Sequence, residues 1–213
     1  MMEKRSDHGW IETGALGALI ILVIWSYNDA ADRLTWWLEA TPALFTIAFV
    51  YFTKDRFSLT PILLFLLWIE CIILLIGAHY TYAHVPLFDW IRDTYELSRN
   101  HYDRVGHFAQ GFIPAIAARE LLLRTSPLKP GKWLFTLIVL GCLGISAAYE
   151  LIEWIAAITT GAAADEFLAI QGDEWDTQKD MALALIGAIL ALLTLNKLHD
   201  RQLHKLGVTG NTK

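Results

Sequence analysis

Apolar residues gather in six long runs along this chain, at 10–27, 36–52, 60–82, 103–123, 133–158 and 177–197, with short polar stretches between them. Each run supplies or approaches the roughly 20 residues that carry a helix across the hydrocarbon layer of a bilayer. The pattern predicts an all-α fold: a polytopic membrane helix bundle of about six transmembrane helices in one integral membrane domain, 1–213. The second run is short and contains Pro42, and the fourth is the least apolar. The first follows Lys4 and Arg5, as a signal peptide would. It runs on to Tyr27 and meets Asn28-Asp29-Ala30-Ala31-Asp32, a poor small-residue cleavage site, so it is read as a retained helix. Between the third and fourth runs, Val85-Pro86-Leu87-Phe88-Asp89-Trp90 suits a short interfacial helix or lid.

Small residues add a packing expectation. Gly14 with Ala18, Gly141 with Gly144 and Ala148, and Gly187 with Ala191 suit close contact between helices. Tryptophans 10, 25, 36, 37 and 133 fall near run ends, where an aromatic belt would sit.

Charge then orients the bundle. Of the 17 Lys and Arg residues, twelve lie in the N-terminus, the 53–59 and 119–132 loops and the C-terminal tail; five lie on the opposite side. The excess of positive charge marks the cytoplasmic side and places both termini there. A net charge of -5, with the basic residues in short loops, excludes nucleic acid as a partner class. The two cysteines, Cys71 and Cys142, sit inside apolar runs and do not suggest a disulfide framework.

Against this apolar background a few ionisable residues stand out. Asp103 and His107 are four apart, with Gln110 three further on, so all three share one helical face. Glu150 and Glu153 pair in the same way in the fifth run, as do Asp176 and Asp180 at the start of the sixth, with Asp173 just before. At about 1.5 Å per residue, Glu150 lies ~25 Å from Trp133, Asp180 ~24 Å from Asn196, and His107 ~18 Å from Arg119. In a slab about 30 Å thick, all reach one layer near the outer boundary. Glu70, alone in the third run, is deeper; it reads as a protonated core residue, a partner of Arg104 or an inner member of the site.

Six carboxylates in one poorly hydrated layer cannot all ionise without compensation. They must bind a cation, hold protons, pair with Arg99, Arg104 or Lys179, or stand in water. Imidazole with several carboxylates suits zinc, manganese or iron, and an all-oxygen subset suits magnesium or calcium. Asp103, His107, Glu150, Asp173, Asp176 and Asp180 are the candidate ligands of a divalent metal, with Glu153 and His107 the candidate catalytic pair. Asp173 and Asp176 equally suit a solvated helix N-terminus, and Glu150 and Glu153 a structural salt bridge to a basic partner. Arg119 and Glu120 read as anchors at the cytoplasmic end. No Gly-x-Ser-x-Gly, phosphate loop, His-Glu-x-x-His or Cys-x-x-Cys occurs; Ser146 lacks an adjacent base in sequence.

Three motifs in order, Tyr102-Asp103-Arg104-Val105-Gly106-His107-Phe108-Ala109-Gln110-Gly111-Phe112, Tyr149-Glu150-Leu151-Ile152-Glu153-Trp154, and Gln171-Gly172-Asp173-Glu174-Trp175-Asp176 with Asp180-Met181, resemble the YjdF-like bacterial inner-membrane proteins over most of the chain. The resemblance implies a multi-pass protein of the bacterial inner (cytoplasmic) membrane. Asp103-Arg104-Val105-Gly106-His107-Phe108 is also distantly similar to the Asp-Lys-x-x-His-Phe start of VanZ-like proteins, with Arg104 in place of the lysine. Three functions stay open: a metal-dependent enzyme acting on a lipid-linked or envelope precursor, with membrane lipids as its partners; a proton- or cation-coupled transporter; and a non-catalytic membrane scaffold.

Overall fold

The structure, a computed structural model, describes residues 6–160 and 171–208. Its elements there are helices: α1 (Ser6–Tyr27), α2 (Arg33–Thr53), α3 (Pro61–Tyr80), α4 (Pro86–Thr94), α5 (Tyr102–Thr125), α6 (Lys132–Thr160) and α7 (Asp176–Lys205). The expected runs coincide with six of them to within a turn at nearly every end. The last helix extends further, because His199 and Leu203 are still buried against the bundle. The short helix expected from Val85 is α4. Three helices, α3, α6 and α7, are by length and composition apolar enough to cross a membrane, and 14–27 forms a shorter apolar helix. α2 and α5 are diluted by Glu39 and Pro42 and by the polar face of α5, respectively.

Two apolar clusters share α3. One joins Leu19 of α1 and Trp36, Ala40 and Ala43 of α2 to Cys71, Leu75 and Ala78 of α3. The other joins Leu63 and Leu66 of α3 to α5, α6 and α7 through Ile113, Ile116, Ile138, Ala188 and Ala191. α2 therefore packs on α3, and α6 on α5 and α7, with an open channel between α2 and α6.

The closest approach is between α5 and α7. A Cβ on Gly111 would overlap the Ala184 carbonyl, and one on Gly187 would overlap the Phe108 carbonyl. The small-residue expectation therefore holds for Gly187 and Ala191, which are buried. It fails for Gly14, Ala18, Gly141, Gly144 and Ala148, which are exposed, and the three glycines have open space around the missing Cβ. Those faces point away from the bundle. Trp36 also departs from the belt reading: it is 2% exposed and donates from Nε1 to Ser26 Oγ at 2.8 Å, tying α2 to α1. Trp37 and Trp133 are exposed, as a belt requires. The side chain of Trp10 lies outside the described residues. Cys71 and Cys142 are buried free thiols.

Helix ends are fixed by polar side chains. Asp32 caps α2, accepting from Thr35 N at 2.7 Å, and this bond holds its carboxyl below the usual range. At the end of the bundle where α5 finishes, Glu120 is fully buried and accepts from Thr60 N and Oγ1, His199 Nε2 and Arg124 Nη1. Its charge offsets the positive end of α3, whose Ile62 N donates to Gln202. Arg119 continues the network to His199 Nδ1 at 3.0 Å and Asp200 at 2.6 Å. Both residues anchor α5, as expected.

Candidate functional site

The opposite end of α5 carries the candidate chemistry. Asn100, fully buried, caps Tyr102 N through Oδ1 and donates to Val85 O and Asp89 Oδ1, which fixes α4 to the start of α5. Gln171 accepts from Asn100 N at 2.9 Å and donates to Asn100 O at 3.1 Å. Gln171 and Gly172 both adopt positive φ, so the chain turns sharply here and enters α7 beside α5. Most of the outer connection expected at 159–176 lies outside the described residues.

This turn brings Asp173, Asp176 and Asp180 against Arg99 and Arg104. Arg104 donates to Asp180 Oδ1 at 2.7 Å, Asp176 Oδ1 at 2.5 Å and Asp173 Oδ2 at 2.9 Å. Arg99 donates to Asp176 Oδ1 and, at 3.4 Å, to Asp103 Oδ2. Lys179 holds Asp173 at 2.6 and 2.8 Å, and its ammonium keeps that carboxyl below the usual range. Asp173 and Asp176 are thus engaged by cationic side chains.

Asp103 and Asp180 differ. Each gives one oxygen to an arginine and turns the other to His107. From His107 Nε2, Asp103 Oδ1 is 3.3 Å away, Asp180 Oδ2 4.0 Å and Glu150 Oε1 3.8 Å. His107 Nδ1 faces Gln110 Oε1 at 3.2 Å. Donation of an Nδ1 proton to that oxygen leaves the Nε2 lone pair aimed at the carboxylates, the arrangement of a metal-ligating histidine. Asp103, His107 and Asp180 are all buried and offer ligand atoms within 4.8 Å of one another. Glu150 Oε1 is buried without a hydrogen-bond partner.

The three basic side chains answer part of the negative charge. Asp103, Asp173, Asp176 and Asp180 contact Arg99, Arg104 or Lys179; among the described residues Glu150 has only the imidazole within ion-pair range. Glu153 stands beyond it, its charge facing Glu150, His107 and Asp103. A buried layer with unanswered carboxylates has room electrostatically for a further cation or for protons.

Glu39 joins this layer and is missed in the sequence reading. It lies three residues past Trp36 at the edge of a short run, where a charge at the membrane interface is unremarkable. The structure buries it to 4% exposure, with Oε2 unpartnered and Glu153 and Asp103 among the charges it faces. Tyr82 and Tyr149 come with it. Tyr82, at positive φ, fits its ring into the space left by Gly77 and Gly106. Ser146 is fully buried, and among the described residues its Oγ has no hydrogen-bond partner and no base at hand.

Glu39, Tyr82, Asp103, His107, Tyr149 and Glu153 border a groove of about 620 Å³ between α2 and α6, floored by α3 and α5; Glu150, Asp176 and Asp180 lie behind its wall. Those six lining residues make the end at the start of α5 polar. Its length is largely apolar, broken by Thr46, Glu70 and Gln110, passing Phe45, Phe49, Leu63, Leu67, Ala118 and Leu121 to Glu120 at the other end. Pro42 and Pro114 both line it; each leaves the carbonyl four residues back, of Leu38 and Gln110, without its helical donor.

Comparison with known proteins agrees with the motifs. The family model described as "Predicted membrane protein (DUF2238)" matches residues 11–201. The inner membrane protein YjdF of Escherichia coli (strain K12) is 44% identical over 201 residues, covering 94% of this chain and 96% of that protein. No solved structure matches. The near-complete match, together with apolar helices long enough to cross a membrane, places the protein in the bacterial inner membrane. The chain belongs to the DUF2238 family of membrane proteins.

Proposed function

We propose that this protein is a six-span inner-membrane enzyme, with both termini in the cytoplasm, that binds a divalent cation and acts on a lipid or envelope precursor at the outer face. α1, α2, α3, α5, α6 and α7 are the spans. The observation that carries the cation reading is the shared design of Asp103 and Asp180: an arginine holds one oxygen of each, and the other faces His107 Nε2. Hydrogen bonds of this kind, from neighbouring residues to the ligands, fix metal sites before the ion arrives. Glu150, with its orphaned Oε1, supplies a further oxygen. One nitrogen with two or three carboxylate oxygens suits zinc, manganese or iron.

A cation held there polarises a phosphoryl or carbonyl oxygen, or lowers the pKa of a bound water. Glu153, in the same groove end but outside the ion-paired set, is free to hold a group of the substrate. Asp173 and Asp176 serve by orienting Arg99 and Arg104 rather than as ligands. The test is elemental analysis of the purified protein after stripping and restoring divalent ions. One ion per chain is expected in the wild type, with loss in His107→Ala and in Asp180→Asn. Absence of stoichiometric metal from the wild type, under any divalent ion supplied, sinks the reading.

The course of the groove favours one second reading. It passes Glu70 and reaches Glu120 at the other end, a line of acids that a proton-coupled transporter could use. Proton flux into liposomes, abolished by Glu70→Gln, would select it.

A further inference from the structure

The groove asks for an occupant that is apolar along its length and positively charged at its outer tip. Bulk lipid chains fill any apolar furrow on a membrane protein, so the length alone selects nothing. The tip does. Among its lining residues are Glu39, Glu70, Asp103, Glu120 and Glu153, and no lysine or arginine. Glu120 is already satisfied by four donors at the inner end. Glu39 is not: Oε2 is buried with no donor, and Glu153, on the facing wall, is among the charges it meets. A buried carboxylate oxygen without a donor is costly, and a ligand N–H removes the cost.

The dimensions match a membrane lipid lying parallel to the bilayer normal. Six residues separate Arg33 from Glu39, so the carboxylate sits ~9 Å along α2, at the level that His107 reaches ~8 Å along α5. From His107 to Leu121 the largely apolar floor, broken by Gln110 and Glu70, runs ~21 Å by the same rise, more than the ~15 Å that one leaflet's chains occupy in a hydrocarbon core of about 30 Å. A full-length acyl chain fits within it.

We infer that the groove between α2 and α6 binds an aminophospholipid, with one acyl chain along the groove and its primary ammonium between Glu39 and Glu153. A primary ammonium brings both the charge and the N–H donors that the orphaned oxygen lacks. A trimethylammonium brings charge without donors, and a glycerol headgroup brings neither the charge nor relief from its own phosphate. The phosphodiester, one ethylene unit from the nitrogen, is left to the cation proposed at Asp103, His107 and Asp180. The inference rests on the proposed function only in treating the bound lipid as the substrate; the ammonium and chain sites stand without the metal.

The full-length protein in detergent, titrated with dioleoyl phosphatidylethanolamine, phosphatidylcholine or phosphatidylglycerol and read by native mass spectrometry, tests this. Retention should fall in that order, with at least about tenfold between the first and last, the scale of one charge-assisted hydrogen bond. Glu39→Gln and Glu153→Gln should each collapse the preference while helicity stays unchanged. Equal retention of the three lipids, or a preference that survives both substitutions, overturns the inference. Metal content measured in the same samples keeps the two ideas apart. Metal-free wild type with the ethanolamine preference intact removes the catalytic reading and leaves the lipid site; metal-loaded protein without headgroup preference does the reverse.

Discussion

Arg104 shows how much at this site hangs on single side chains. It is 13% exposed and reaches Asp173, Asp176 and Asp180 at once. Removing one partner of a buried charge network leaves the others uncompensated, at a cost of about 3–5 kcal/mol. Arg104→Ala should therefore lower the thermal unfolding midpoint in detergent markedly, and Arg104→Lys should not restore it, because a point charge cannot reproduce the guanidinium fork. An unchanged midpoint in Arg104→Ala would mean that the network is not buried as described. The residue identities here were legible from spacing: Asp103, His107, Glu150, Asp176 and Asp180 do meet in one layer. Their division of labour was not. No periodicity tells Asp180, with an oxygen left over for His107, from Asp173, tied to Lys179 and Arg104.

For the helices, the close seam is that of α5 and α7. Gly111 faces Ala184 and Gly187 faces Phe108 and Phe112, so a methyl at either position meets backbone that cannot move aside. Gly111→Ala and Gly187→Ala should push the helices apart and separate His107 from Asp180. Destabilisation of roughly 1–3 kcal/mol is expected from overpacking. Gly141→Ala and Gly144→Ala, in open space, should be neutral or slightly stabilising through helix propensity. A parallel thermal series on the four variants checks both halves; equal effects at all four positions would refute the seam. Sequence alone treats these glycines alike, since a small residue in an apolar helix is compatible with either a contact or a lipid-facing surface.

Across the whole molecule, the arrangement turns on which end of the bundle faces the cytoplasm. Single cysteines placed at Asp55 or Lys129 of a cysteine-free variant should resist a membrane-impermeant maleimide in intact spheroplasts and react after lysis. Cysteines at Asp93 or Lys179 should react in both conditions. The opposite pattern would invert the site to the cytoplasmic face and remove the outer-face substrate. Hydrophobic runs and their breaks determined the helices, because crossing a bilayer demands about 20 consecutive apolar residues, and the intervals between charges determined that five of the candidate site residues share a level. Tertiary structure alone decided that Glu39 belongs with them and that α2 and α6 stand apart to leave a groove. It also decided which carboxylate oxygens are answered by arginine and which are left facing His107. The physical reason is common to all three: rise per residue fixes depth along a helix from sequence alone, whereas rotation about the helix axis and the choice of neighbour depend on side chains distant in the chain.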